Sequence, residues 1–222
     1  MVGLEVPTYD SGPAKWFNDR GIAAFVLKYR VLPTAWQVKR TPPKIAVFPH
    51  ANANPFPDDQ RMSATIAMAI ADARQALKLV RSHAREWRID PTKVGMLGYS
   101  AGGGVSIGTA VAPAGEGDGN QPVTRPDFIM SAYGPSLVDV IVPDNPPPLF
   151  LTVRQFHPNV ARGLLAVFDE WTKAGAPAEI HVYDQLGGPP FLADTGTWLD
   201  RAYDWMKARG FGLPAASRKR AR

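Results

Sequence analysis

Three features of this 222-residue chain predict an α/β fold with a mostly parallel sheet. Short apolar runs have the length and composition of buried strands, and segments of helical period separate them. One of those runs leads straight into a glycine-rich turn that opens another helix-compatible stretch. Strands alternating with helices require crossover connections, which place parallel strands side by side.

The expected strands are Ile22 to Lys28 (IAAFVLK), Val94 to Leu97, Phe128 to Ala132, Leu149 to Val153 and Glu179 to Tyr183. All are rich in Val, Ile, Leu or Phe. Between Ala69 and Trp87, the residues Ala73, Leu77, Val80, Ala84 and Trp87 fall on one helical face at spacings of three and four. Leu164, Phe168 and Trp171 repeat the pattern, as do Trp198, Ala202 and Trp205. Leu32 to Arg61 carries six prolines and no sustained period apart from the apolar run Ile45 to Phe48, and Ala112 to Pro126 is a Gly/Pro-rich loop. Residues 1–213 read as a single domain with 33–61 as an irregular, lid-like insertion, and 214–222 as a basic tail expected to be disordered.

With 45% hydrophobic and 20% charged residues, the composition is that of a globular domain with a sizeable core. The absence of cysteine excludes disulfides, thiolate nucleophiles and Cys-based metal sites. Of the net charge of +5, four units sit on Arg218, Lys219, Arg220 and Arg222, leaving the rest of the chain near +1. That distribution gives no footprint for a nucleic-acid partner. No apolar run reaches the roughly 18 to 20 residues of a membrane span. The start of the chain, with Glu5, Pro7 and Asp10, is unlike a secretory signal, so the cytoplasm is the default compartment.

The chemistry centres on Gly98-Tyr99-Ser100-Ala101-Gly102, which follows the strand Val94 to Leu97 and precedes Gly103, Gly104 and the helix-compatible run Val105 to Val111. In a nucleophile elbow a serine sits on a strained strand-to-helix turn that lifts its Oγ above the sheet. Small residues two positions to either side let neighbouring backbone approach, and the N–H of Ala101 is the first oxyanion donor, assisted by the helix N-terminus. The competing reading is a phosphate-binding turn. It lacks both the Gly-Lys-Ser/Thr and the dinucleotide spacing, and no cofactor is expected. No His/Asp/Glu cluster has metal-ligand spacing.

Several segments resemble bacterial α/β-hydrolases of the acetylxylan/feruloyl esterase-like, or carboxylesterase, branch. They are Trp16-Phe17-Asn18-Asp19-Arg20-Gly21 with IAAFVLKYR, ADARQALKLVRSHAREWRIDPTKVGMLGYSAGG, PPPLFLTV, AEIHVY and WLDRAYDWMKARG. The resemblance runs from about Ala14 to Phe211. It implies an α/β-hydrolase fold, a Ser-Asp-His triad acting on carboxylic esters, and Ser100 as nucleophile.

The departures concern the rest of the triad. The family's acid follows the strand matching Leu149 to Val153, where this chain reads Arg154-Gln155-Phe156-His157-Pro158. The family's histidine lies in a Gly-Gly-His-Gly-Phe segment, where this chain reads Gly187-Gly188-Pro189-Pro190-Phe191. The oxyanion loop before the first helix has no counterpart. The resemblance therefore implies a sheet lacking the usual N-terminal strands, with a vacancy between Ile22 to Lys28 and Val94 to Leu97. Lys44 to Phe48 could fill that gap, the two strands could pair directly, or a second chain could occupy it in a homo-oligomer.

Among the four histidines, His181 alternates with Ile180 and Val182 in a strand and reads as structural, and His83 lies on the polar side of its helix. His50 and His157 are the candidates for a replacement base, with Ser100–His157 as the dyad. Asp184 and Asp194 could orient a base, while Asp58, Asp59 and Asp72 read as solvated.

The leading reading is a relative of serine carboxylesterases with weak or absent activity, acting on or binding a small-molecule ester. The alternatives are an active esterase using Ser100 with His157 or His50, and a non-catalytic pseudoenzyme that binds or oligomerises.

Overall fold

The structure, a computed structural model, describes residues 12–31, 60–113, 123–155, 158–184 and 195–212. The chain divides into two compact units, Leu27–Gly187 and the pair of terminal segments Met1–Val26 and Gly188–Arg222.

The larger unit holds a four-stranded, wholly parallel sheet in the order β1 (Met96–Tyr99), β2 (Ile129–Ala132), β3 (Leu149–Arg154), β4 (Ala178–Tyr183). Four of the five expected strands are present, each within two residues of its expected limits. Leu149, Phe150, Leu151, Thr152 and Val153 of β3 are completely buried, which explains why this strand reads as a continuous apolar run instead of an alternating one.

Parallel neighbours require crossovers, and helices supply the first and the third, while residues 133–148 cross from β2 to β3 without one. In this unit α2 (Gln60–Ser82) and the short α3 (Ala84–Trp87) lead into β1, α4 (Ala101–Val111) connects β1 to β2, and α5 (Pro158–Lys173) connects β3 to β4. Helix α4 packs on β1 and β2, α5 on β3 and β4, and α2 on α4. Ile107 and Ala110 of α4 share one core cluster with Ile129, Leu149, Leu151, Val153 and with Val160, Leu164, Val167 and Trp171 of α5. Trp171 is fully buried and satisfies its indole N–H by donating to the Pro147 carbonyl at 2.9 Å.

Helix α2 starts nine residues before the expected Ala69, inside the segment read as irregular. Its buried residues Ile66, Ala69, Ala73 and Leu77 extend the expected apolar face by one turn. Non-helical backbone at His83 separates it from α3. The Asp127 carboxylate ties the end of α2 to the sheet, accepting from the Val94 N–H at 2.7 Å and from Arg81 at 2.8 Å.

One expected strand does not form. Residues 22–31 are without secondary structure and pair with no strand, and Phe25 and Val26 are 54% and 59% exposed. A strand exists through its ladder, and among the described residues Ile22 to Lys28 has no neighbour to complete one. Within the larger unit this stretch is fixed at its far end, where Arg30 makes a bidentate ion pair with Asp72 of α2, the shortest contact being 2.6 Å. The alternative occupant of the vacancy, Lys44 to Phe48, lies outside the described residues.

The smaller unit contains α1 (Pro13–Asn18) and α6 (Thr195–Ala208). Proline in the first turn suits α1, because its missing N–H would be unsatisfied there in any case. Trp16 meets Tyr203 edge to face at 5.8 Å, and the Arg20 guanidinium stacks 3.5 Å above the Trp16 ring. Trp198, Ala202 and Trp205 are buried together on one face of α6, as their spacing predicts. No described helix is long and apolar enough to cross a membrane.

Candidate functional site

Ser100 occupies the turn between β1 and α4, at the N-cap of the helix, with φ 48° and ψ −122°. A non-glycine residue rarely adopts positive φ, and it persists only where the surroundings over-determine it. The surroundings here are backbone. The Ser100 N–H donates to the Ala132 carbonyl at 3.1 Å, extending the β1–β2 ladder by one residue, and its carbonyl accepts from the Gly104 N–H at 3.2 Å to open the helix. The Ser100 side chain makes no capping hydrogen bond.

The glycines of the motif have different roles. A Cβ on Gly98 would overlap the Gly102 carbonyl and the Gly103 nitrogen, so only glycine lets the strand and the helix start come this close. Gly103 would collide with Ser131 Oγ, and Gly134 with the Ser100 carbonyl. At Gly102, by contrast, an added Cβ would meet only Tyr29 Oη, at 3.9 Å. Space therefore explains Gly98 and leaves Gly102 unexplained.

Ala101 is the first residue of α4, so its N–H belongs to the first turn, where helix N–H groups lack intrahelical partners. Together with the helix dipole it gives the Ser100 region a partial positive potential suited to a developing oxyanion.

The ends of β2 and β3 contribute residues that sequence reasoning did not assign a role. Tyr133 follows β2 with φ 43°, and its N–H donates to the Thr152 carbonyl at 2.7 Å. Its ring lies 6.1 Å from that of Tyr99. Burial raises the Tyr99 phenol far above its usual range, with Tyr133 adding to the shift. Burial also raises Tyr133, partly offset by the positive charge of Arg154 at the end of β3. Tyr133-Gly134-Pro135 directly after an apolar run was the available signal.

Neither described histidine stands by Ser100. His181 is on β4, three strands from β1, or about 14 Å at the usual strand spacing, and it is bonded to Glu179 at 2.7 Å. His83 lies at the amino end of the sheet, stacked on Trp87 with centroids 4.8 Å apart. His50, His157, Asp194 and the run Gly187 to Phe191 lie outside the described residues.

A strand, a serine in a strained left-handed turn and a helix, set in a parallel sheet with helical crossovers, mark the α/β-hydrolase elbow. The chain has the α/β-hydrolase fold. The family model BD-FAE matches residues 59–138 of this chain, a span that includes α2, the elbow and β2. An acetylxylan esterase of Xylanibacter ruminicola is 30% identical over 91 residues, covering 41% of this chain and 13% of that protein. The chain thus spans a small part of the length of the curated relative it matches. An acetyl ester-xyloside bifunctional hydrolase from Caldicellulosiruptor lactoaceticus superposes with a TM-score of 0.59 at 25% identity, over 91% of this chain and 78% of that one. Thermogutta terrifontis esterase 2 (TM-score 0.57, 18% identity, 67% of each chain) shares the fold. So does a putative carboxylesterase from Lactobacillus plantarum (TM-score 0.52, 23% identity, 64% of this chain and 69% of that one). The chain is related to the esterases of this fold.

Proposed function

We propose that this protein is a serine ester hydrolase of low turnover, in which Ser100 accepts an acyl group from a carboxylic ester and is deacylated slowly. The observation that carries this reading is the Ser100 backbone at φ 48° and ψ −122°. The strain costs about 1–3 kcal/mol and has no structural use that a glycine would not serve better. Ser100 Oγ attacks the ester carbonyl carbon, the alkoxide leaves with a proton, and water later attacks the acyl-serine to release the acid and restore the hydroxyl.

Slow turnover follows from the residues at the sequence positions where the resemblance implies the rest of the triad. By the resemblance, Arg154-Gln155-Phe156-His157-Pro158 at the end of β3 has no carboxylate where relatives place the acid, and Pro189 stands at the sequence position where they place histidine. Without its triad, a serine hydrolase retains about 10³ to 10⁴ over water from binding and the oxyanion hole.

Treatment with a fluorophosphonate probe tests the proposal. Wild type is expected to be labelled stoichiometrically on Ser100, Ser100→Ala not at all, and p-nitrophenyl acetate should give a burst followed by a slow steady state. Absence of label overturns the nucleophile. A kcat above about 1 s⁻¹, the lower end of ordinary enzymes, that is abolished in His157→Gln or His50→Gln overturns slow turnover and assigns the base.

A further inference from the structure

The stretch that fails to become a strand reaches the elbow helix through Tyr29. Within the larger unit, residues 27–31 are tied to α2, where the Arg30 N–H donates to Asp72 at 2.9 Å and the Arg30 guanidinium clasps the same carboxylate. Tyr29, the preceding residue, packs against the cluster formed by Ala69 and Ala73 of α2 and Val105 of α4. Its hydroxyl oxygen is the atom that a Cβ on Gly102 would meet, at 3.9 Å. Val105 lies three residues beyond Gly102, about 4.5 Å along the helix. A ring in that cluster with its oxygen at Gly102 therefore points toward the amino end of α4, where Ser100 is the N-cap.

The oxygen of a tetrahedral intermediate is held by preorganised donors, and a tyrosine hydroxyl can be one of them beside a backbone N–H. Ala101, first in the helix, gives one such N–H. Tyr29 is half-buried, and burial pushes its pKa up, so at neutral pH the phenol keeps its proton and can donate it to a hydrogen bond. Among the described residues no hydrogen bond engages that hydroxyl. Gly102 presents no side chain to the space between the hydroxyl and the helix, which gives this glycine a use that packing alone does not.

We infer that the Tyr29 hydroxyl is a second donor, alongside the Ala101 N–H, to the oxyanion formed when Ser100 attacks an ester. This rests on the Ser100 reading above and adds a catalytic residue to it. As Ser100 Oγ bonds to the carbonyl carbon, the π pair of the C=O bond moves onto the carbonyl oxygen, which accepts from Ala101 N–H and Tyr29 O–H. The pair then returns to re-form the carbonyl, the bond to the alcohol oxygen breaks, and the alcohol leaves with the proton that Ser100 gave up. Tyr29 holds its own proton throughout.

Paired acylation rates of the full chain test this: the burst with p-nitrophenyl acetate against the burst with its thiono counterpart, in which sulfur replaces the carbonyl oxygen. Sulfur accepts hydrogen bonds weakly, so a donor to the oxyanion favours the oxygen ester. Tyr29→Phe keeps the ring and loses only the hydroxyl. It is expected to slow acylation by the oxygen ester about 10²-fold, the usual cost of one oxyanion donor, and to lower the oxygen-to-sulfur rate ratio about 10-fold or more. A merely structural loss slows both esters equally and leaves the ratio where it was, so the ratio decides the point even where Tyr29→Phe folds poorly. An unchanged ratio overturns the inference, while a wild-type burst with Ser100 labelled upholds the Ser100 reading. No burst from wild type and no fluorophosphonate label on Ser100 overturns both.

Discussion

The backbone of Gly134 lies against the carbonyl of Ser100, so closely that a Cβ on Gly134 would overlap that oxygen and crowd Gly103 Cα at 2.6 Å. The turn after β2 thereby braces the elbow after β1. Both obstacles are backbone, which cannot swing aside. Gly134→Ala is therefore expected to cost about 1–3 kcal/mol, the usual penalty of overpacking, and to slow phosphonylation of Ser100. A thermal melt together with the labelling rate checks this, and an unchanged labelling rate would remove the bracing role.

The two outer glycines of the motif should respond in opposite ways. Gly98→Ala drives a methyl into the Gly102–Gly103 backbone and is expected to destabilise by about 1–3 kcal/mol. Gly102→Ala has open space and sits in the first turn of α4, where alanine is favoured over glycine by up to about 1 kcal/mol. Denaturant midpoints for both variants decide the point. Equal losses would contradict the geometry.

The strain at Ser100 predicts an unusual stability order. Ser100→Ala keeps a Cβ in the unfavourable region, whereas Ser100→Gly relieves it. The relief of about 1–3 kcal/mol exceeds the roughly 0.5–1 kcal/mol of extra chain entropy that glycine loses. Ser100→Gly should therefore be about 1 kcal/mol more stable than Ser100→Ala by the same difference, as measured by equilibrium unfolding.

Trp171 anchors the sheet-facing side of α5. Replacing it with alanine removes a fully buried side chain and orphans the Pro147 carbonyl. The expected loss is about 3–5 kcal/mol, which at roughly 2–4 °C per kcal/mol lowers Tm by about 10 °C. Trp171→Phe, which keeps most of the volume, should cost clearly less.

The Arg30–Asp72 pair predicts a pH dependence. Hydrogen bonds from Arg30 hold the Asp72 carboxyl below its usual value. A depressed folded-state pKa contributes stability above the unfolded value, near 4, and loses it as pH falls through the folded one. Wild type should thus be more stable than Asp72→Asn at neutral pH, with the gap closing below about pH 4. A gap of constant size from pH 7 to pH 3 would show that the pair carries no such linkage.

Legibility followed the range of the interactions. The β1–β4 runs could be read because buried parallel strands are apolar along their length, and the apolar faces of α2, α5 and α6 because burial repeats with the helical period. Ile22 to Lys28 has the same composition as those strands, yet no ladder forms among the described residues, and only pairing turns such a run into a strand. Gly98 and Gly102 look equivalent in the sequence and differ in what they touch. Arg154 could be read as a departure from a family pattern, but that Tyr133 stands beside Ser100 depends on strand order.

From the order of its residues alone, the chain determined its fold class, the elbow at Ser100 and most of its helices, since these depend on local period and on turn chemistry confined to a few neighbours. Tertiary structure decided which apolar run joins the sheet, which glycines are obligatory, and that Tyr133 at the end of β2 stands beside the serine. Those outcomes arise where segments distant in sequence meet, through register and close backbone approach.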